Sequence, residues 1–134
     1  MGWVYKVMLT GEITEVVPSN PNMRNPNGVG VGQKGEILVA GFFTGKVSAY
    51  HNGALTLISE GFRGVDAIEQ DEDGTYYISS WTQGKIWSYE PDTQKTMVLK
   101  EGQESAADFF FDRQARQIIC PDMLAGLLYR IPLK

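Results

Sequence analysis

Three oxygen-bearing side chains recur at nearly even spacing in this 134-residue sequence: Asn27, Asp66 and Asp108. They stand 39 and 42 residues apart, in Asn25-Pro26-Asn27-Gly28-Val29, Gly64-Val65-Asp66-Ala67-Ile68 and Ala106-Ala107-Asp108-Phe109-Phe110. An amide and two carboxylates meeting at one point would suit a hard divalent cation such as calcium, magnesium or manganese, with waters completing the shell. Zinc fits if the geometry closes down. The competing reading is structural, because Asn and Asp ahead of a strand also close turns through local side-chain to backbone hydrogen bonds. Arg24 and Arg63 fall just before the same apolar segments. They are candidates to hold an anionic substrate at the mouth of such a site.

Other reactive residue types lead nowhere comparable. His51 is the only histidine and lies in the turn Tyr50-His51-Asn52-Gly53, so neither a histidine metal cluster nor a Ser-His-Asp arrangement is available. Gly28-Val29-Gly30-Val31-Gly32 imitates a dinucleotide loop, but no helical pattern follows it. Cys120 follows Ile118-Ile119 in an apolar strand and reads as a buried, inert thiol. Trp81 and Trp87 read as packing aromatics.

The elements that must carry these residues repeat as well. A hexapeptide opened by glycine occurs four times, beginning at Gly2, Gly45, Gly84 and Gly126, at spacings of 43, 39 and 42 residues. Each later copy is preceded by a β-rich strand (Glu36–Ala40, Thr75–Ser79, Gln117–Cys120) and, before that, a polar turn. No stretch keeps a helical period. A period of about forty residues fits a ring of four-stranded sheets; a β-sandwich has no reason to repeat its sequence. The expected fold is therefore all-β, a β-propeller fragment of about three four-stranded blades. Residues 1–20 supply the last two strands of one blade, 21–61 and 62–102 a full blade each, and 103–134 a three-stranded final blade. Such an open arc leaves apolar faces and strand edges in water. The expectation is a homodimer, or a partner chain, completing the ring.

Composition agrees with a globular domain: 43% apolar and 21% charged residues. The formal charge of −4, with the basic residues scattered, argues against a nucleic-acid partner. Neither a membrane-length apolar run nor a secretory signal is legible, which makes the cytoplasm the default expectation.

The stretch Asn25–Val31, followed by Gly35–Ala40 and Gly45-Lys46-Val47, resembles the Pro-Asn-Gly blade of the gluconolactonase, senescence marker protein (regucalcin) and luciferin-regenerating-enzyme family. Val65–Ile68 with Asp71–Gly74 and Ser79-Ser80-Trp81 is similar to that family's next blade, and Ala107–Phe109 through Asp122 to its closing blade. The resemblance implies a six-bladed propeller with one divalent cation in its channel, held by a first-blade glutamate and the asparagine and aspartate that match Asn27 and Asp66. It further implies hydrolysis of a lactone or related ester, with Asp66 assisting proton transfer. This chain departs from the pattern in two ways. Val65-Asp66-Ala67 stands for the usual Pro-Asp-Gly, and the glutamate has no counterpart, which leaves Asp108 as the candidate third ligand. A non-catalytic propeller scaffold that binds a ligand or protein is the alternative.

Overall fold

In the computed structural model, which describes residues 2–134, the chain is built from short antiparallel strands. Among the described residues there are four sheets. The first pairs β1 (Val4–Val7) with β2 (Ile13–Val17). The second runs β3 (Pro26–Val31), β4 (Ile37–Gly41), β5 (Lys46–His51), β6 (Ala54–Glu60) in simple up-and-down order. The third repeats that order with β7 (Val65–Gln70), β8 (Tyr76–Ser80), β9 (Lys85–Glu90) and β10 (Lys95–Lys100). The last has three strands, β11 (Phe110–Asp112), β12 (Gln117–Asp122) and β13 (Leu127–Pro132). A single 3₁₀ turn at Pro21–Met23 precedes β3, its start capped by Asn20, whose side chain accepts from the Asn22 N–H at 2.8 Å. No helix among the described residues is long and apolar enough to cross a membrane.

The sheets stack face against face, so inner strands bury both sides. Along β8 every residue is buried, with Tyr76 and Ile78 turned to one neighbour and Tyr77 to the other. Leu38, Val47, Phe62, Val65, Ile68, Ile78 and Trp87 fill the space between the second and third sheets. Trp87 meets Phe62 edge to face at 5.0 Å, the packing role expected of it. Tyr77, Ile86, Phe111, Ile118 and Cys120 fill the space between the third and fourth sheets, where Tyr77 stacks on Phe111. Val4 and Val17 close over Met23 and Val39 at the first sheet. His51 is exposed at the tip of the β5–β6 hairpin.

The recurring glycine of the hexapeptide has a steric reason. Gly45 and Gly84 hold φ of +65° and +58°, a region costly for other residues. A side chain there would also strike the Phe62 and Gln103 carbonyls of the segment that crosses to the next sheet. That segment is anchored to the same glycines, through Phe62 N–H to Gly45 C=O (3.2 Å) and Gln103 N–H to Gly84 C=O (3.2 Å).

The tightest inter-sheet contact lies at the innermost strands. A Cβ on Gly28 would meet the Asp66 carbonyl and the Ala67 Cα, and one on Gly30 would meet the Ile68 carbonyl. Backbone lies on backbone here, with no side chain between. The glycine run is therefore a contact surface. Gly28→Ala is expected to destabilise the fold by about 2–3 kcal/mol, lowering the thermal midpoint by roughly 10 °C, because the obstructing atoms are backbone and cannot rotate away. Calorimetric unfolding of the variant beside the parent measures it.

Candidate metal centre

Asn27, Asp66 and Asp108 sit at the same point of three successive sheets because each sheet breaks its ladder there. In the second sheet Pro26 pairs with Gly41 and Val29 with Val39, leaving Asn27 and Gly28 in a bulge. The third sheet does the same: Val65 pairs with Ser80 and Ile68 with Ile78, so Asp66 and Ala67 bulge. In the fourth, Ala106 bridges to Asp122 and regular pairing resumes at Phe110, leaving Asp108 in the gap. A bulge bends the strand and re-aims its side chains. Asn25, at φ +52°, adds a left-handed step just before the first bulge, a conformation that Asn tolerates better than most residues.

Two side chains hold this geometry. Ser79, fully buried, accepts from the bulged Ala67 N–H (3.0 Å) and donates to the Ala107 carbonyl (2.9 Å), tying β7 to the segment that bears Asp108. Asp122, only 2% exposed, accepts from the N–H groups of Glu104 (2.9 Å), Ser105 (3.0 Å) and Ala125 (3.3 Å) and from the Ser105 hydroxyl (3.3 Å). Burial opposes its ionisation, yet these donors hold the carboxyl below its ordinary value.

Asp66 lies close enough to Asn27 and Asp108 for both to act on its carboxyl. Burial pushes the Asp66 carboxyl above its ordinary value, and the Asp108 charge pushes it the same way. The Asn27 amide and the Asp108 backbone N–H pull it partly back. Glu69, on the same strand, is raised by burial and by Asp108, against the opposing pull of Arg113 at 3.5 Å. Cys120 is pushed up to about 11 by burial, offset in part by the Gln103 amide and reinforced by Asp66, Asp108 and Asp122. Its thiol stays protonated near neutral pH and inert. The Asp108 charge is thus felt by three separate groups.

Each arginine lies two residues before an inner strand, Arg24 before β3 and Arg63 before β7. Arg24 is exposed beyond the 3₁₀ turn. Arg63 lines a shallow cleft of about 400 Å³ with Phe42, Phe43 and Thr82, and neither makes an ion pair among the described residues. Asn27 opens onto an adjoining cleft of about 250 Å³ with Asn25, Phe42 and Phe43. A larger recess, about 450 Å³, lies at the opposite ends of the inner strands beside Val31, Gln70, Glu72 and Arg113. No group of three or more His, Cys, Asp or Glu side chains suited to a metal occurs among the described residues, so a cation here would draw on Asn27 as well as the two aspartates.

No protein family and no curated protein matches the chain. Solved structures do. Regucalcin from Agrobacterium tumefaciens, a calcium-binding protein, aligns at a TM-score of 0.74 and 15% identity over 95% of this chain and 50% of its own. A gluconolactonase from Xanthomonas campestris aligns at 0.71 and 18% identity, over 98% and 44%. A luciferin-regenerating enzyme aligns at 0.69 and 10%, over 98% and 51%, and virginiamycin B lyase from Staphylococcus aureus at 0.61 and 13%, over 98% and 48%. This is a propeller-like fold. The likeness is one of architecture, and the chain spans about half the length of the structures it matches.

The raised Asp66 carboxyl has a signed consequence. The folded chain binds that proton more tightly than the unfolded one, so ionisation costs stability as pH rises from about 4 through the folded value. Asp66→Asn is expected to be more stable than the parent at pH 8 by less than about 1 kcal/mol, the half-exposed carboxyl being screened by water. The difference should vanish below about pH 4. Thermal unfolding in chelator at both pH values checks this, and a destabilised variant at pH 8 contradicts it.

Proposed function

We propose that this chain carries part of a metal-dependent site for hydrolysis of a lactone or related ester. The observation that supports it most directly is the matching break in three successive ladders that sets Asn27, Asp66 and Asp108 at one level, with Asp108 and Asn27 both acting on the Asp66 carboxyl. The donor chemistry fits a hard cation: two carboxylates and an amide oxygen, with Cys120 protonated and His51 remote on an exposed hairpin. Calcium, magnesium or manganese suits this set better than zinc. Three side chains fall short of the six to eight oxygens that calcium takes, so water or residues outside this chain complete the shell.

When bound, the cation supplies Lewis-acid polarisation of the ester carbonyl and acidifies a water. The chain's own contribution centres on Asp66. Burial and the neighbouring Asp108 charge make its carboxylate a better base than an exposed one, suited to take a proton from attacking water and return it to the leaving alkoxide. Asn27 steadies the ionised form. Phe42 and Phe43, packed edge to face at 5.4 Å beside Asn27, offer an apolar wall for the body of the substrate. Arg63, which shares a cleft with Phe43, would meet an anionic substituent.

A non-catalytic ligand-binding scaffold is the second reading, favoured by the small number of carboxylates at the column. Titration calorimetry with calcium, magnesium and manganese, followed by a pH-stat assay on a γ-lactone, separates the two. Asp66→Ala should weaken cation binding at least about 10-fold and reduce metal-dependent hydrolysis by roughly 10²-fold or more. Cation binding without hydrolysis leaves the scaffold. Cation binding unchanged by Asp66→Ala places the site elsewhere.

A further inference from the structure

The two ends of the stack present apolar faces of matching kind. At one end, Val29 and Val31 of β3 point away from the third sheet and are 52% and 64% exposed. They lie directly across from Val39 and Ile37 on β4, which are covered by the first sheet. The covered apolar surface therefore continues, uncovered, onto the innermost strand. The first sheet pairs β1 with β2, and among the described residues no strand lies inward of β1. At the other end, Phe110, Ile119, Pro121 and Leu128 share one face of the fourth sheet with the exposed Arg130, since Phe110 and Arg130 both pair with Ile119 and Pro121 pairs with Leu128. Phe110 and Leu128 are 65% and 67% exposed. Patches of this kind mark contact surfaces.

We propose that two copies of this chain close head to tail. Each seats its fourth sheet on the bare strip of the other's β3. A second copy is the occupant that fits for two reasons. The structures with this architecture are about twice as long, so two copies supply the length of one of them. A hairpin inward of β1 is also what would cover the strip, and the tail carries one in β11 and β12. Head and tail are different surfaces, so the contact is heterologous, and with two copies it closes on itself without leaving a sticky end. Burying Val29, Val31, Phe110 and Leu128 drives it.

Sedimentation equilibrium on the purified full chain at micromolar concentration should give twice the 14.9 kDa chain mass. Val31→Asp and Leu128→Asp each place a charge in the proposed contact, at positions exposed within one copy, so both variants should keep the parent's far-ultraviolet spectrum. Either alone should weaken dimerisation at least about 100-fold. The double variant Val29→Cys, Phe110→Cys should form a disulfide-linked dimer under mild oxidation while each single variant does not, Cys120 being buried. A monomeric parent overturns the proposal. So does a dimer that only one of the two charge variants disrupts, since that marks a like-with-like contact. None of these outcomes depends on whether Asp66 binds metal.

Discussion

The architecture rests on one steric permission: the backbone of β3 lies directly on the backbone of β7. Glycine at 28 and 30 removes the side chains that would otherwise hold the two sheets a residue's width further apart. Ordinary sheet packing keeps about 10 Å between faces. The wedge shape needed to fan sheets around an axis requires a narrower inner end than outer end, and glycine makes it. At the outer end Phe62, Trp87 and Tyr89 fill the broader gap. Small residues inside and large ones outside set the angle between neighbouring sheets. That angle in turn decides whether side chains leaving the inner strands converge or miss one another.

Negative charge along the inner strands has an electrostatic cost. Asp66, Glu69 and Asp108 crowd negative charge along the inner strands, with Arg113 the counter-charge nearest to Glu69. Arg113 also pairs with Glu72 at 3.4 Å and lies over the Phe111 ring, so its charge is shared and held toward the far end of the strands. Among the described residues neither Asp66 nor Asp108 is ion-paired. The support there is polar: the Ser79 bridge and the ring of donors around Asp122 tie the Asp108 segment to its neighbours. A positive ligand between the two carboxylates would relieve the repulsion that helps to raise Asp66.

Much of the fold was legible because sterics repeat with the sheets. The hexapeptide glycines betrayed the period, since Gly45 and Gly84 each face a crossing carbonyl that excludes any side chain. The alignment of Asn27, Asp66 and Asp108 followed from that period alone. The bulges were not legible. They depend on which carbonyls and N–H groups find partners across the ladder, as when Ser79 takes the Ala67 N–H, and a serine in a strand gives no sign of bridging to a neighbouring sheet. Glu69 escaped notice for a similar reason: its link to Asp108 runs between sheets. Asp122 read as part of a motif, although its local role is to accept four hydrogen bonds at the base of the Asp108 segment.

The solitary thiol has a use that its inertness creates. Cys120 is wholly covered, faces the third sheet alongside Ile86 and Ile118, and lies within 3.6 Å of the Ala107 carbonyl beside Asp108. A sulfhydryl reagent can reach it only when the terminal β11–β13 layer lifts away. Its alkylation rate is therefore an intrinsic clock for that opening, readable by intact-mass spectrometry without an introduced label. Any ligand that clamps the inner ends of the strands together will slow that clock.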